Sequence, residues 1–495
     1  MKERLIELLT YHPDQPMIFS TGLFLMLFLG FTFIYMLLRR IRTLRLLFVT
    51  AFSYYFYYKS SGFYFALLAV VTLSDFLIAR GIATLKNRGE TTLTAQKWLV
   101  ALSLVIDLGL LGYFKYTNFF AGMWAQMVGS NFQPWDIFLP VGISFFTFQS
   151  MSYVIDIYRG QLKPLPSLLD YAFYVSFFPQ LVAGPIVRAR DFAPQIRKTL
   201  EVTSQMFAQG CYLIAIGLFK KAVISDYISL NFVDRIFDNP TLYSGVENLL
   251  GVYGYTLQIY CDFSGYSDMA IGIALLLGFR FPMNFNAPYR SESITDFWRR
   301  WHISLSTWIR DYIYISLGGN RKGKVRQYVN LIITMLLGGL WHGASLNFIA
   351  WGGMHGVALA LHKCMREHIW HHDKTYHSRG LRKVLAILLT FHFVAFCWIF
   401  FRNHTFEGSW LMIERIATDF HPELFLQVVE GYWIVFAMML LGYLTHFIPD
   451  RAQDWCIRLM ERGSVVLCAL LIAAVIYIVI QVKSSEIQPF IYFQF

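Results

Sequence analysis

The chain has 495 residues, of which 56% are hydrophobic and only 15% are charged, whereas a soluble globular protein carries roughly 45–50% apolar and about 25% charged residues. This composition excludes a disordered, collagen-like or disulfide-stapled protein and predicts a polytopic membrane protein. The formal net charge of +11 does not indicate nucleic-acid binding, because many short cytoplasmic loops rich in Lys and Arg produce the same excess.

The first apolar run, Met17 to Leu38, is long enough to cross a bilayer and lacks a clear cleavage site, so we expect it to remain as the first membrane helix. Further apolar runs follow at residues 44–58, 62–79, 98–117, 135–157, 167–187, 205–224, 243–260, 266–279, 328–341, 346–362, 383–401, 431–448 and 464–482. Several are shorter than the roughly 20 residues of a full span, which predicts half-length or re-entrant helices buried in protein. We therefore expect an all-α polytopic membrane protein with about 11–13 membrane helices.

Basic residues indicate which loops are cytoplasmic. Four arginines lie between residues 39 and 45, directly after the first run, whereas the segment before it carries three acids and two bases, which predicts an N-terminus outside the cytoplasm. Basic residues flank the run 167–187 on both sides, and Pro179, Gly184 and Pro185 interrupt it. We therefore predict a re-entrant hairpin there rather than a span.

The stretch 280–326 is long and strongly basic, which predicts that it lies at the cytoplasmic face. The chain has no internal repeat at a fixed period and no Pro/Ser-rich linker that would separate a soluble domain. We therefore predict one integral-membrane domain over residues 1–495.

Two histidines lie in or beside apolar stretches: His302 ends the sequence WRRWH, and His342 ends the sequence GGLWH. An imidazole in an apolar environment is unfavourable unless it has a partner or faces water, so both are candidates for function. Histidine titrates near neutral pH and suits general-base chemistry. The alternative for each is a histidine that packs between helices with its hydrogen bonds satisfied, and spacing alone leaves both interpretations open.

The sequence around these histidines resembles the signature of the membrane-bound O-acyltransferases, and it is most similar to the bacterial alginate O-acetyltransferase branch. The stretches that carry the resemblance are DFWRRWHISLS (296–306), RDYIY (310–314), LGGNR (317–321), LLGGLWHGA (336–344), LPVGISF (139–145), FPQLVAGPI (178–186), YCDFSGYSD (260–268) and PFIYF (489–493). The resemblance covers roughly residues 20–360 and the tail, with a signature core at about 135–360.

The resemblance implies a helical funnel in the membrane in which two histidines, here His302 and His342, meet near the centre. His342 matches the family's usual catalytic residue. We assign His342 as the general base and His302 as the second member, which polarises the acyl carbonyl or orients an intermediate. If the acyl group rests briefly on the enzyme, His342 is instead the nucleophile. The residues expected to bind the donor or acceptor around them are Trp298, Arg299, Arg300, Trp301, Ser304, Arg310, Asp311, Gly339 and Trp341.

Three arginines of this set have two interpretations. Arg299, Arg300 and Arg310 suit the phosphates of coenzyme A or of a carrier protein's phosphopantetheine, because a guanidinium binds phosphate through a fork of donors. Alternatively, they mark a cytoplasmic loop and pair with Asp296 and Asp311.

No metal or bound cofactor is expected. Asp262 and Asp268 lie between two apolar runs, and we interpret them as a hydrogen-bonded polar helix break rather than a cation site, because two carboxylates alone make a poor oxygen cage. A histidine cluster lies among charged residues and is typical of a solvated loop rather than a metal site. Its members are His362, His368, His371, His372 and His377.

The resulting hypothesis is a bacterial inner-membrane O-acyltransferase. It moves an acyl group, expected to be acetyl, from a cytoplasmic thioester, either acetyl-coenzyme A or an acyl carrier protein, to a hydroxyl of a cell-envelope polysaccharide. The resemblance implies an extracytoplasmic transferase as partner. Two alternatives remain: D-alanyl transfer to teichoic acid from a carrier protein, and a membrane transporter, which many spans and broken helices would also suit.

Overall fold

The structure is a computed structural model, and it describes residues 9–13, 16–198, 200–371, 376, 378–463, 465–482 and 491. These residues are mostly helical and contain no β-strand, which confirms the all-α class. The chain divides into two compact units, one formed by Met1–Gly210 with Met269–Pro282 and the other by Cys211–Asp268 with Met283–Phe495. One integral domain over the whole chain stays a prediction.

The helices that begin in the first unit are α1 (Gly22–Leu38), α2 (Arg42–Ser61), α3 (Phe65–Lys86), α4 (Leu93–Leu111), α5 (Thr117–Met127), α6 (Ile143–Arg159), α7 (Leu168–Ser176), α8 (Phe178–Leu181), α9 (Ala189–Ile196) and α10 (Ser204–Leu218). Residue Thr21 caps α1 by accepting a hydrogen bond from the Phe24 backbone N–H, and Ser167 caps α7 through the Asp170 N–H. Such caps satisfy donors that a helix start leaves open.

The helices that begin in the second unit are α11 (Asp226–Ile228), α12 (Asp234–Asp238), α13 (Gly245–Leu276), α14 (Ile294–Arg300), α15 (Ile303–Ile309), α16 (Lys324–His342), α17 (Leu346–His368), α18 (Gly380–Arg402), α19 (Phe406–Thr418), α20 (Phe425–Gly431), α21 (Trp433–Thr445), α22 (Asp450–Arg462) and α23 (Val465–Val482). Single π-helical turns at Phe219–Ser225 and Ser229–Val233 join α10, α11 and α12, and another follows α15 at Arg310–Tyr314.

Five helical stretches within the described residues are long and apolar enough to cross a membrane. They are Arg42–Lys86, Leu93–Met127, Ser204–Asp238, Gly380–Arg402 and Val465–Val482. The helical segments Pro422–Gly431 and Trp433–Thr445, which meet at a bend of 93°, would add a sixth if together they form one broken span. The protein is therefore a multi-pass membrane protein. The number of helices that are long and apolar enough to span is smaller than the expected 11–13. The sequence count included short runs such as 266–279, which are not separate spanning helices.

The run 167–187 does not form a continuous helix. Its helix ends at Ser176, resumes for one turn at Phe178–Leu181, and then gives way to an irregular segment. The two ends of the region lie together, because Arg190 donates a hydrogen bond to the Gln161 side chain at 3.1 Å. This geometry agrees with the predicted re-entrant hairpin. The residues of the irregular segment are buried, so its backbone lies inside protein, as is required of non-helical backbone at membrane depth.

The predicted helix break at Asp262 and Asp268 is wrong, because α13 continues through both residues for 32 residues in all. The two carboxylates are instead neutralised by consecutive lysines: Lys221 lies 2.6 Å from Asp262, and Lys220 lies 2.8 Å from Asp268. Because each acid has a cation beside it, the helix does not need to open to satisfy them.

Helices α16 and α17 pack with their backbones nearly in contact. A Cβ added at Gly352 would collide with the carbonyl oxygen of Met335 and lie 3.2 Å from the Gly339 Cα. A Cβ added at Gly339 would collide with the Phe348 carbonyl. Small residues allow such close approach between helices in lipid. Gly339 is thus a packing residue of this helix pair, and its binding role stays a prediction.

We expect Gly352→Ala to destabilise the protein by about 1–3 kcal/mol, the usual cost of forcing extra atoms into a packed interface. The matched control is Gly353→Ala. Its new Cβ would lie 3.5 Å from Leu336 Cδ2, an ordinary contact, and alanine is the better helix former by about 1 kcal/mol. When thermal unfolding is measured in detergent, the midpoint temperature should therefore be lower than that of the parent protein for Gly352→Ala and not for Gly353→Ala. Equal midpoints for the two variants would contradict the close contact.

Candidate active site

His302 lies at the junction between α14 and α15 and has no exposed surface. Its backbone adopts the left-handed conformation, with φ of +42°, which is uncommon for a residue other than glycine. The Ile303 N–H donates to the Asn284 carbonyl oxygen at 2.9 Å, which ties this junction to the extended segment before α14. A strained backbone held by its surroundings is characteristic of functional sites.

The Asn284 side chain determines the tautomer of His302. Its Oδ1 accepts hydrogen bonds from the backbone N–H of Ser304 at 3.2 Å and from the Ser304 hydroxyl at 2.9 Å. Its Nδ2 donates to Ser267 at 3.1 Å. Since a backbone N–H can only donate, Oδ1 is an acceptor, and His302 Nδ1, 3.2 Å away, must carry the proton. In the neutral ring, Nε2 is therefore the nitrogen with the lone pair.

His342 is the last residue of α16 and is 3% exposed. Its ring is surrounded by aromatic side chains: the ring centroids of Trp341 and Trp351 lie 5.0 Å away, and that of Phe401 lies 5.1 Å away. Carbonyl groups at a helix C-terminus and aromatic faces both stabilise positive charge. The site is thus suited to an imidazole that takes up a proton during a reaction.

Trp341 contacts both predicted catalytic histidines. Its ring centroid is 6.2 Å from that of His302 and 5.0 Å from that of His342. The structure therefore brings together four residues of the sequence prediction, since Ser304 belongs to the same hydrogen-bonded group as His302. Aromatic walls around two imidazoles exclude bulk water from this part of the protein.

Trp298 and Trp301, the two other tryptophans predicted to bind a substrate, contact buried ring side chains near the two histidines. Trp298 donates from Nε1 to Nδ1 of His355 at 3.3 Å. Trp301 is fully buried, and its ring centroid lies 5.0 Å from that of Trp398 and 5.1 Å from that of Phe285. Both tryptophans hold the aromatic surroundings of the site.

The predicted arginines separate into two groups. Arg300 pairs with Asp296 at 3.0 Å, and Arg310 pairs with Asp311 at 2.7 Å, as the loop interpretation anticipated. Arg310 donates hydrogen bonds to the Asp311 carboxylate, and this raises the pKa of the guanidinium. Arg299 lines a cavity on the other side of α14 and has no ion pair with a described residue. The assignment of all three to donor phosphates stays a prediction.

Sequence reasoning missed two residues of this site. His355 has no exposed surface, lies with its ring centroid 4.8 Å from that of Trp351, and has no hydrogen-bond partner for Nε2 among the described residues. It lies inside the apolar run 346–362, so the signal that singled out His342 applies to it equally. Asn284 carried no signal, because one asparagine in an extended segment matches no motif.

Metal ligands are not grouped in the part of the chain that the structure describes: no cluster of three or more His, Cys, Asp or Glu side chains is found there. Of the histidine cluster, His372 and His377 lie outside the described residues, as does most of the PFIYF stretch. The expectation of no metal stays a prediction.

Comparison with known proteins identifies the family. A family model for membrane-bound O-acyltransferases matches residues 99–396, which include His302 and His342. The chain belongs to the membrane-bound O-acyltransferase family. It is therefore an acyltransferase rather than a transporter, and the resemblance predicted from the sequence is confirmed.

Relatives within the membrane-bound O-acyltransferases differ in what they modify. The chain is 44% identical to a probable alginate O-acetylase of Pseudomonas aeruginosa, over 81% of this chain and 75% of that protein. It is 37% identical to the peptidoglycan O-acetyltransferase of Helicobacter pylori, over 79% and 78%. Identity to the teichoic acid D-alanyltransferase of Bacillus subtilis is 33%, over 54% of this chain and 69% of that one.

Proposed function

We propose that this acyltransferase moves an acetyl group from a cytoplasmic thioester to a hydroxyl of a cell-envelope polysaccharide, directly or through an extracytoplasmic partner transferase. The main support is the similarity to two kinds of polysaccharide O-acetyltransferase over about four-fifths of the chain. D-alanyl transfer is the second candidate, and the shorter match to the teichoic acid enzyme supports it less.

The chemistry follows from the two histidines. The acceptor oxygen attacks the thioester carbonyl, the new C–O bond forms, and the C–S bond breaks. His342 takes the hydroxyl proton and returns it to the leaving thiolate. Its aromatic surroundings and its place at a helix C-terminus support this role, because both stabilise the positive charge it carries between the two steps.

The tautomer of His302 limits which hydrogen bonds this side chain can make to a substrate. A neutral ring whose Nδ1–H is bound to Asn284 has no proton on Nε2 to donate to a carbonyl oxygen. We therefore assign His302 to orienting the acceptor through a second donor, such as a neighbouring sugar hydroxyl that would donate to Nε2, rather than to polarising the acyl carbonyl, because the reacting hydroxyl has one proton and gives it to His342.

The membrane arrangement belongs to the same proposal. We place the protein in the bacterial cytoplasmic membrane with its N-terminus outside, because the arginines after the first apolar run favour the cytoplasmic side. The donor, acetyl-coenzyme A or an acyl carrier protein, would then enter from the basic face, and the acceptor from the opposite side.

The test is mass spectrometry of ester-linked groups on the envelope polysaccharides of cells with and without this protein. Loss of acetyl esters in cells that lack it, restored by the intact chain, is the expected result. Loss of D-alanyl esters with acetyl esters unchanged would establish the second candidate and overturn the first. No change in either ester would reject both.

A further inference from the structure

A cavity of about 650 Å³ lies in the second unit, along α14, α17 and α18, and neither predicted histidine lines it. On α17 its wall consists of side chains at positions 358, 361, 362, 365 and 366, the spacing of one helix face. On α18 the wall runs from Arg382 to Phe393. The cavity is therefore a cleft bordered by two long helices.

One end of this cleft is cationic. Arg299 and Arg382 line it and have no ion pair with a described residue, and Arg382 lies with its guanidinium over the ring of Tyr376. The two acids at the same end are already neutralised, since Glu292 is 3.5 Å from Lys383 and Asp296 is bound by Arg300. Two guanidiniums thus remain for an anionic ligand.

Beyond Arg382, the α18 wall of the cleft is mostly apolar, and part of it lies on the exposed surface of the helix. Leu385 and Leu389, one turn apart on α18, are 57% and 76% exposed, and α18 is one of the helices able to span a membrane. The eleven-residue separation between Arg382 and Phe393 corresponds to roughly 16 Å along a helix axis. This length is nearly equal to the thickness of one leaflet, which is half of a hydrocarbon core of about 30 Å.

This shape determines the class of ligand. An acetyl donor carries a single methyl group and a polar pantetheine arm, so it has nothing to place along an apolar wall of this depth. A phospholipid has a phosphate for the two arginines and an acyl chain of one leaflet's depth for the wall. Arginine binds such phosphates through paired donors.

We propose that this cleft is a binding site for one anionic glycerophospholipid, with its phosphate between Arg299 and Arg382 and an acyl chain along Leu385, Leu389 and Phe393. The lipid would brace α18 against α14, the helix that precedes His302.

The test is native mass spectrometry of the purified, delipidated full chain titrated with phosphatidylglycerol or phosphatidylcholine of identical chains. Phosphatidylglycerol should bind more tightly. Arg382→Gln should weaken phosphatidylglycerol binding about fivefold, the effect expected for one basic residue at the membrane surface, and weaken phosphatidylcholine binding less, because choline already offsets the charge of its phosphate. Ala386→Trp, which fills the cleft, should abolish retention of either lipid.

Two control variants lie on the same helix start but outside the cleft: Arg379→Gln removes an equal charge, and Val384→Trp adds an equal side chain. Both should bind phosphatidylglycerol like the unaltered chain. Equal affinity for the two lipids, or an equal loss with Arg379→Gln, would overturn the proposal. Displacement of the lipid by coenzyme A would also overturn it, because the cleft would then belong to the donor.

Discussion

Replacement of His342 by Gln should reduce acetyl transfer by about 10²- to 10⁴-fold, the range that a positioned proton-transfer group contributes. Glutamine has a similar size and keeps a polar end, so the ring of aromatic side chains around position 342 should survive. It cannot carry the hydroxyl proton to the thiolate, and the loss should therefore fall on kcat rather than on KM. The measurement is transfer of labelled acetyl groups to polysaccharide by membranes that contain equal amounts of protein.

The control for this variant is His392→Gln, because His392 is an exposed histidine on α18 that bonds to the Leu388 carbonyl of its own helix and packs its ring 5.7 Å from that of Tyr253, away from the reacting groups. It should transfer acetyl groups at the normal rate. Both variants should also unfold at nearly the same temperature as the parent protein. A His342→Gln variant that is folded and fully active would remove His342 from the mechanism.

Asn284→Leu should produce the second large loss, about 10²-fold or more in kcat, because His302 would lose the acceptor that fixes its tautomer. The Ser304 N–H would lose its partner too, so stability should fall by about 1–3 kcal/mol. If Asn284 had only a structural role, the loss of stability would still be expected. A further variant must therefore separate the effect on stability from the effect on kcat.

Asn284→Asp provides that separation, because a carboxylate still accepts from His302 and Ser304. Its negative charge stabilises the imidazolium, so His302 would stay protonated to higher pH, and the acid limb of the pH–rate profile should move upward. Asn286→Leu, two residues away at an exposed position, should alter neither rate nor profile. An unchanged pH profile for Asn284→Asp would show that Asn284 does not act through His302.

Much of the fold was predictable from hydropathy, because helices in a bilayer must satisfy their own backbone hydrogen bonds. The runs 328–341 and 346–362 correspond to α16 and α17, and the broken run 167–187 was recognised from its prolines and glycine. The continuity of α13 was not predictable, because it depends on lysines more than 40 residues away that neutralise Asp262 and Asp268.

The site was predictable where chemistry requires a rare residue in an apolar context. That reasoning found His302 and His342 and should have found His355. It could not find Asn284, whose importance arises only from the fold, which places one side-chain oxygen beside a backbone N–H and an imidazole. It also could not decide which arginines have carboxylate partners, since sequence spacing does not give side-chain directions.

The glycine contacts between α16 and α17 have a consequence for motion. Helices whose backbones touch at Gly339 and Gly352 have little room to slide or tilt separately, since shear between helices needs side chains that can change rotamer. His342, at the end of one helix, and Trp351, on the other, should therefore move as one body. Substrate entry and product exit must be gated by other parts of the chain, so variants that alter turnover without altering the reacting groups should be sought outside this helix pair.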